Sequence, residues 1–156
     1  PRIKWPNDLL IDGRKLCGIL CDMQAEPDCV RYLIVGMGVN VNLLSDDWPP
    51  DLARRAISLR DACGHSVSRA QLLATILNRF EELYRPWMQQ GLAPFLDAIA
   101  KRDALAGRRV FLEQGGRRIA GRVLGLSPDG SLRVKPDGEP PLAVWAGDVH
   151  ITGMDT

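Results

Sequence analysis

Three short polar clusters, each at the edge of an apolar run, hold the residue types from which this chain could build chemistry. The first is Lys4-Trp5-Pro6-Asn7-Asp8. Pro6 fixes its own φ and biases Trp5 toward extended backbone, so the Asn7 amide and the Asp8 carboxylate sit on a stiff turn. Such a turn could orient a ligand or a cation, or one of the two side chains could simply close the loop as an Asx-turn. The second cluster centres on Lys15, between the Asp12-Gly13 pair and the apolar run Leu16 to Leu20. A lysine there could be a solvated edge charge. Its chemical use would be to offset the repulsion between two anions that must react. An unperturbed lysine stays charged at neutral pH, so that role is electrostatic rather than basic. Gly18 removes a side chain beside it and permits close approach by a flat ligand or a neighbouring strand. The third cluster, Gly36-Met37-Gly38-Val39-Asn40-Val41-Asn42, ends an apolar strand. It is not the dinucleotide fingerprint, because the third glycine is missing at the required spacing and no long helix follows directly. Asn40 and Asn42 fall on one strand face and could hydrogen-bond a ligand.

The elements that must position these residues can be read from periodicity and turn chemistry. Leu9-Leu10-Ile11, Asp12-Gly13 and Lys15 to Asp22 form a β-hairpin pattern, since Asp-Gly suits a tight turn with positive φ. Cys29 to Val41 reads as a central strand covered on both faces, being almost continuously apolar. A loop is expected over Leu43 to Pro50 and a short helix over Ala56 to Ala62, ended by Gly64. Ser68 suits a helix N-cap. After it, Leu72, Leu73, Ile76, Leu77, Phe80, Leu83, Tyr84 and Trp87 recur at three- and four-residue steps, the pattern of one helix stripe facing a core. Phe95 is also expected in the core, and a further helix is expected from Pro94 to about Leu105.

After Gly107 the texture changes to short strands at Val110 to Leu112, Ile119 to Leu126, Leu132 to Val134 and Leu142 to Trp145. Gly115-Gly116, Pro128-Asp129-Gly130 and Pro136-Asp137-Gly138 separate them as turn formers. Four or five short strands in about fifty residues imply a small barrel of the SH3-like kind. The fold class is therefore α+β, with a sheet-and-helix domain over residues 1–105 and a small β-domain over 106–156.

Composition bounds the function classes. Among 156 residues, 46% are hydrophobic and 25% charged, ordinary for a soluble globular protein. A formal net charge of +1 argues against bulk nucleic acid as a dominant electrostatic partner. No apolar run approaches the roughly 20 residues that span a bilayer, so no membrane segment is expected. Cys17, Cys21, Cys29 and Cys63 form no CxxC pair, and neither His65 nor His150 has zinc-type spacing to them, so no metal site is expected. Four thiols without a disulfide framework fit a reducing, cytoplasmic compartment. The chain opens at Pro1 with no targeting pattern, which reads as a cut in a longer protein.

The three clusters together resemble the second half of the catalytic domain of biotin protein ligases. Lys4-Trp5-Pro6-Asn7-Asp8, Arg14-Lys15-Leu16-Cys17-Gly18-Ile19-Leu20 and Gly36-Met37-Gly38-Val39-Asn40 occur in that family's order and at close to its spacing. Gly121-Arg122-Val123, Gly130-Ser131-Leu132 and Gly147-Asp148-Val149 are similar to its small SH3-like C-terminal domain. The resemblance implies a truncated sheet of the class II aminoacyl-tRNA synthetase and biotin synthetase type. It also implies an ATP-dependent ligase that forms biotinyl-5′-AMP and transfers biotin to a lysine of a biotin carboxyl carrier protein, with Mg2+ accompanying ATP. By position, Lys15 would contact the biotin carboxylate and the reacting phosphate. Asn7, Asp8, Gly18 and Asn40 would lie on the substrate and nucleotide side.

Two departures are tolerable: Cys17 where the family more often has a smaller residue, and Cys21-Asp22 where a glutamate is common. The family's glycine- and arginine-rich adenylate loop has no counterpart in these residues, so little ligase activity is expected from them alone. Some family members carry an upstream DNA-binding helix-turn-helix, and DNA binding is undetermined from these residues. A lipoate-type acyl ligase and a noncatalytic interaction module are the alternative readings.

Overall fold

The computed structural model describes residues 1–114, 117–145 and 147–151. The expected turn at Gly115-Gly116 lies outside the described residues. The N-terminal elements are β1 (Arg2–Lys4), β2 (Asp8–Ile11), β3 (Arg14–Glu26), β4 (Cys29–Val39), α1 (Pro50–Ala53), α2 (Leu59–Cys63), α3 (Arg69–Gln90) and α4 (Leu96–Ala100). Strands β5 (Arg109–Gln114), β6 (Arg117–Leu126), β7 (Leu132–Pro136), β8 (Leu142–Val144) and β9 (Asp148–Ile151) follow. The chain divides into two compact units, one holding Pro1 and Asn7–Arg69, the other Arg2–Pro6 and Ala70–Thr156. No described helix is long and apolar enough to cross a membrane.

In the first unit β2, β3 and β4 lie in that order in an antiparallel sheet. The β2–β3 turn has the expected chemistry, with Asp12 and Gly13 both at positive φ. Leu16, Cys17 and Ile57 are buried together, with Leu9, Ile11, Ile19, Val39 and Leu59 packed around them. Helix α2 begins at Leu59, three residues later than expected, because Ser58 is its N-cap and accepts from the Asp61 amide at 3.0 Å. Ala56 and Ile57 are instead extended beside β3, where Ile57 N donates to Lys15 O at 3.0 Å. Gly64 ends the helix in the left-handed region.

The expectation that Cys29 to Val41 is covered on both faces is corrected. All of β4 up to Gly38 is exposed, as is the distal part of β3, including Leu20 at 73%. These two strands pair with each other well beyond the small core of Leu16, Cys17 and Ile57, so among the described residues their far ends lie exposed.

The second unit is organised by a five-stranded antiparallel sheet in the order β8-β7-β6-β5-β9, with β8 and β9 as its edges. Strict alternation in β7 buries Leu132, Val134 and Pro136 and exposes Arg133 and Lys135. The buried face gathers Val110, Leu112, Val123, Leu132, Val134, Val144 and Val149 with Leu105 and Trp5. Trp5 enters through β1, whose Ile3 exchanges backbone hydrogen bonds with Arg102 and Ala104 at 2.7 and 2.8 Å. Its indole donates to Gly130 O at 3.1 Å. The helix expected to reach Leu105 stops at Ala100, because Leu105 is drawn into this core in a non-helical segment. The α3 stripe is corrected in part: Leu73, Leu77, Phe80, Tyr84 and Trp87 are exposed, Phe80 at 53%, while Leu72, Ile76 and Leu83 are partly buried. The helix runs through Pro86 and buries none of its residues. Phe95 is only partly buried.

Candidate active site

The site is best built outward from Lys15. Its backbone is held on two sides. Lys15 N donates to Arg55 O at 2.6 Å, while Lys15 O accepts from Ile57 N at 3.0 Å and from the Asn40 side-chain amide at 3.2 Å. Asn40 N in turn donates to Leu16 O at 2.9 Å. The lysine therefore stands on a fixed platform made by the start of β3, the end of β4 and the extended Ala56-Ile57 segment.

A β-bulge sets where the side chain goes. Leu9 faces Cys17 and Leu10 faces Lys15, so Leu16 is an extra residue on β3. Regular alternation would put Lys15 and Gly18 on opposite sides of the sheet. The extra residue brings both onto the face shared by Asp8 and Leu10, with Asp8 directly opposite Gly18. The ammonium then reaches Asp8 Oδ1 at 2.6 Å, the two side chains being 49% and 17% exposed. The contact is a charge pair rather than an aligned hydrogen bond, since the buried Asp8 Oδ1 has no donor in good geometry.

Charge at this spot is felt by the neighbouring thiol. Burial pushes the Cys17 thiol above its ordinary value, the Lys15 ammonium opposes that rise and Asp8 adds to it. Cys17 is 3% exposed and free, so its role is compact packing beneath the platform.

The residues singled out from sequence separate clearly in space. Lys15, Asp8 and Gly18 come together, and Asn40 joins through the Lys15 carbonyl. Asn7 is exposed at the entrance to β2, and its carbonyl accepts from Ile19 N at 2.8 Å. Asn42 is used structurally: its amide donates to Val67 O and its carbonyl accepts from Val67 N, both at 2.9 Å. Trp5 leaves the cluster for the core of the other unit's sheet. Sequence reading missed Arg55 and Ile57 as the lysine's backbone partners. Ala56-Ile57, an apolar pair amid charged residues, was the available signal, and it was read as helix.

A sequence model described as the biotin/lipoate A/B protein ligase family matches residues 1–40, the span that contains the whole Lys15 cluster. Over 150 residues the chain is 38% identical to the bifunctional ligase/repressor BirA of Bacillus spizizenii, covering 96% of this chain and 46% of that protein. Over most of its length the chain is similar to biotin protein ligases. It is also 31% identical over 148 residues to the biotin–[acetyl-CoA-carboxylase] ligase of Mycobacterium tuberculosis, covering 94% of this chain and 52% of that one. The biotin protein ligase of Aquifex aeolicus in complex with biotin and ATP is similar in fold, with a TM-score of 0.79 at 25% identity. That match covers 96% of this chain and 61% of the Aquifex chain. The chain thus spans about half the length of the curated relatives it matches.

Proposed function

We propose that this chain carries the lysine-bearing part of a ligase that activates biotin with ATP and transfers it to a biotin carboxyl carrier protein. The biotin carboxylate attacks the α-phosphate of MgATP, forming biotinyl-5′-AMP and releasing pyrophosphate. The amine of a carrier lysine then attacks the acyl carbon of the mixed anhydride, forming an amide and releasing AMP. Both reactants of the first step are anions. The observation that carries the reading is the Lys15 ammonium, its backbone held on two sides and its charge 2.6 Å from Asp8, within the span matched by the family.

In this reading Lys15 stabilises the charge that gathers as carboxylate and phosphate meet, a contribution that grows as the closed site excludes water. Asp8 holds the ammonium in place until substrate arrives. Mg2+ would enter with the nucleotide, keeping most of its ligands as water and phosphate. Asn7 and Asn40 would serve the nucleotide side, and Gly18 leaves room for the pair on the sheet surface. Residues 1–105 would form the catalytic part and residues 106–156 an SH3-like domain that assists ATP and carrier engagement. The four free cysteines fit a cytoplasmic enzyme. The exposed apolar surfaces of β4 and α3 support a requirement for further protein around them. The isolated 156 residues would accordingly label a carrier poorly.

Titration calorimetry of the full-length protein with biotin and with lipoate, followed by carrier labelling in the presence of MgATP, tests this reading. Biotin-selective binding and ATP-dependent labelling of the carrier lysine are expected. Lipoate selectivity, or labelling that does not need ATP, would overturn it.

A further inference from the structure

We propose that Gly18 is a positioning residue whose missing side chain is the seat of the Lys15 ammonium. The inference rests on the role given to Lys15 above and concerns how that charge is held. A Cβ built on Gly18 would lie 3.2 Å from both Cε and Nζ of Lys15 and 3.7 Å from Asp8 Oδ1. The space left by hydrogen is therefore filled by the chain's own cation and its counter-charge.

Other reasons for a glycine at this position do not hold. Gly18 is absent from the residues with positive φ, so its backbone conformation is open to any L-residue. Its strand partner on β4 is Gly38, yet none of the three atoms nearest the built Cβ belongs to β4. Close approach of the neighbouring strand does not require it. A glycine inside a strand costs conformational entropy and packs nothing, so its presence calls for a steric reason. The bulge at Leu16 supplies that reason by rotating Lys15 onto the Gly18 face. Bulge and glycine act as a pair: the extra residue aims the lysine, and the bare Cα leaves it room to lie against Asp8.

The consequence of adding a methyl follows from the same distances. At 3.2 Å the contact is tight but not prohibitive, and the atoms that must move are the end of a flexible side chain. Folding should tolerate Gly18→Ala, and a lower unfolded-state entropy can even raise stability. The ammonium, however, must give way by a fraction of an ångström from its seat beside Asp8. Since a misplacement of about 1 Å in a reacting geometry can cost roughly 100-fold, this smaller shift should slow adenylate formation on the order of tenfold.

The test is a double-mutant cycle in the full-length protein, read by biotin-dependent ATP–pyrophosphate exchange. Gly18→Ala should lower the exchange rate at saturating substrate on the order of tenfold, with thermal stability unchanged or raised. In a Lys15→Ala background it should cause no further loss, because the displaced group is already gone. Equal losses in both backgrounds would overturn the proposal and assign Gly18 to direct ligand approach instead. A second readout needs no ligase activity: the rate at which an amine-reactive ester labels Lys15, followed by peptide mass spectrometry. Severalfold faster labelling in Gly18→Ala and Gly18→Ser than in wild type is expected. Unchanged labelling in variants with native circular dichroism would overturn the seat. Loss of exchange in every protein, wild type included, together with faster labelling, would sink the ligase reading while upholding the seat.

Discussion

Trp5 offers the sharpest test of how the chain uses its most conspicuous motif. It sits two residues before Asn7, yet its ring is 7% exposed within the core of the five-stranded sheet and its indole donates to Gly130 O at 3.1 Å. Replacing a buried aromatic by alanine costs about 3–5 kcal/mol through lost transfer free energy and the cavity left behind. Trp5→Phe keeps most of the ring area but removes the donor to Gly130, a loss of about 1–2 kcal/mol. With a urea m-value of about 2 kcal/mol/M, the Trp5→Ala midpoint should fall by roughly 1.5–2.5 M and the Trp5→Phe midpoint by roughly 0.5–1 M. Equilibrium urea unfolding followed by circular dichroism and tryptophan fluorescence measures both. Trp145→Ala is the matched control, because Trp145 is 63% exposed and should shift stability by no more than about 0.5 kcal/mol. If Trp5→Ala and Trp145→Ala moved the midpoint equally, Trp5 would not be a core residue and the motif would have to be read wholly as a ligand turn.

Four further outcomes follow from the same structure. Cys17 should react with a maleimide far more slowly than Cys21, Cys29 and Cys63, which are exposed, and peptide mass spectrometry of partially labelled protein checks the order. Because burial holds the Cys17 thiol above its ordinary value, the unfolded chain gives up that proton first; the stability it underwrites is complete below the ordinary thiol range and is lost as pH rises through the folded value, a slope that Cys17→Ala should flatten. Asp129 has the opposite sign: hydrogen bonds from the Ser131 hydroxyl and amide hold its carboxyl below the usual range, so their contribution is present above that range and fades as pH falls through the lowered value, and Asp129→Asn should shallow the acid limb of a stability–pH profile. Gly121→Ala should destabilise by about 1–3 kcal/mol in urea unfolding, since overpacking must displace backbone here, the added Cβ falling 2.7 Å from Lys135 O.

Local chemistry was legible in the residue order, and distant geometry was not. The Asp12-Gly13 turn, the strand pairing it dictates and the αL end of α2 at Gly64 all follow from backbone preferences that act over a few residues. Lys15 and Asp8 could each be singled out by type and position. Their meeting could not, because it depends on a one-residue bulge at Leu16 that no periodicity announces. The Trp5–Gly130 bond joins positions 125 apart, a separation at which sequence pattern carries no information. The apolar runs of β4 and α3 lead sequence reading to expect covered faces, yet among the described residues most of β4 and Leu73, Leu77 and Phe80 of α3 lie exposed. Hydrophobicity reports that a surface wants a partner, not whether the partner lies in the same 156 residues.

The central claim concerns a single ammonium, and biotin-dependent ATP–pyrophosphate exchange by Lys15→Ala in the full-length protein tests it most directly. Removing one preorganised electrostatic group from a developing charge typically slows the step by about 100- to 1,000-fold. Its partly exposed pair with Asp8 contributes only about 1 kcal/mol or less to folding, so thermal stability should barely move. Exchange reduced by that factor in a protein that melts like wild type is the expected result. Exchange at the wild-type rate would contradict the role assigned to Lys15.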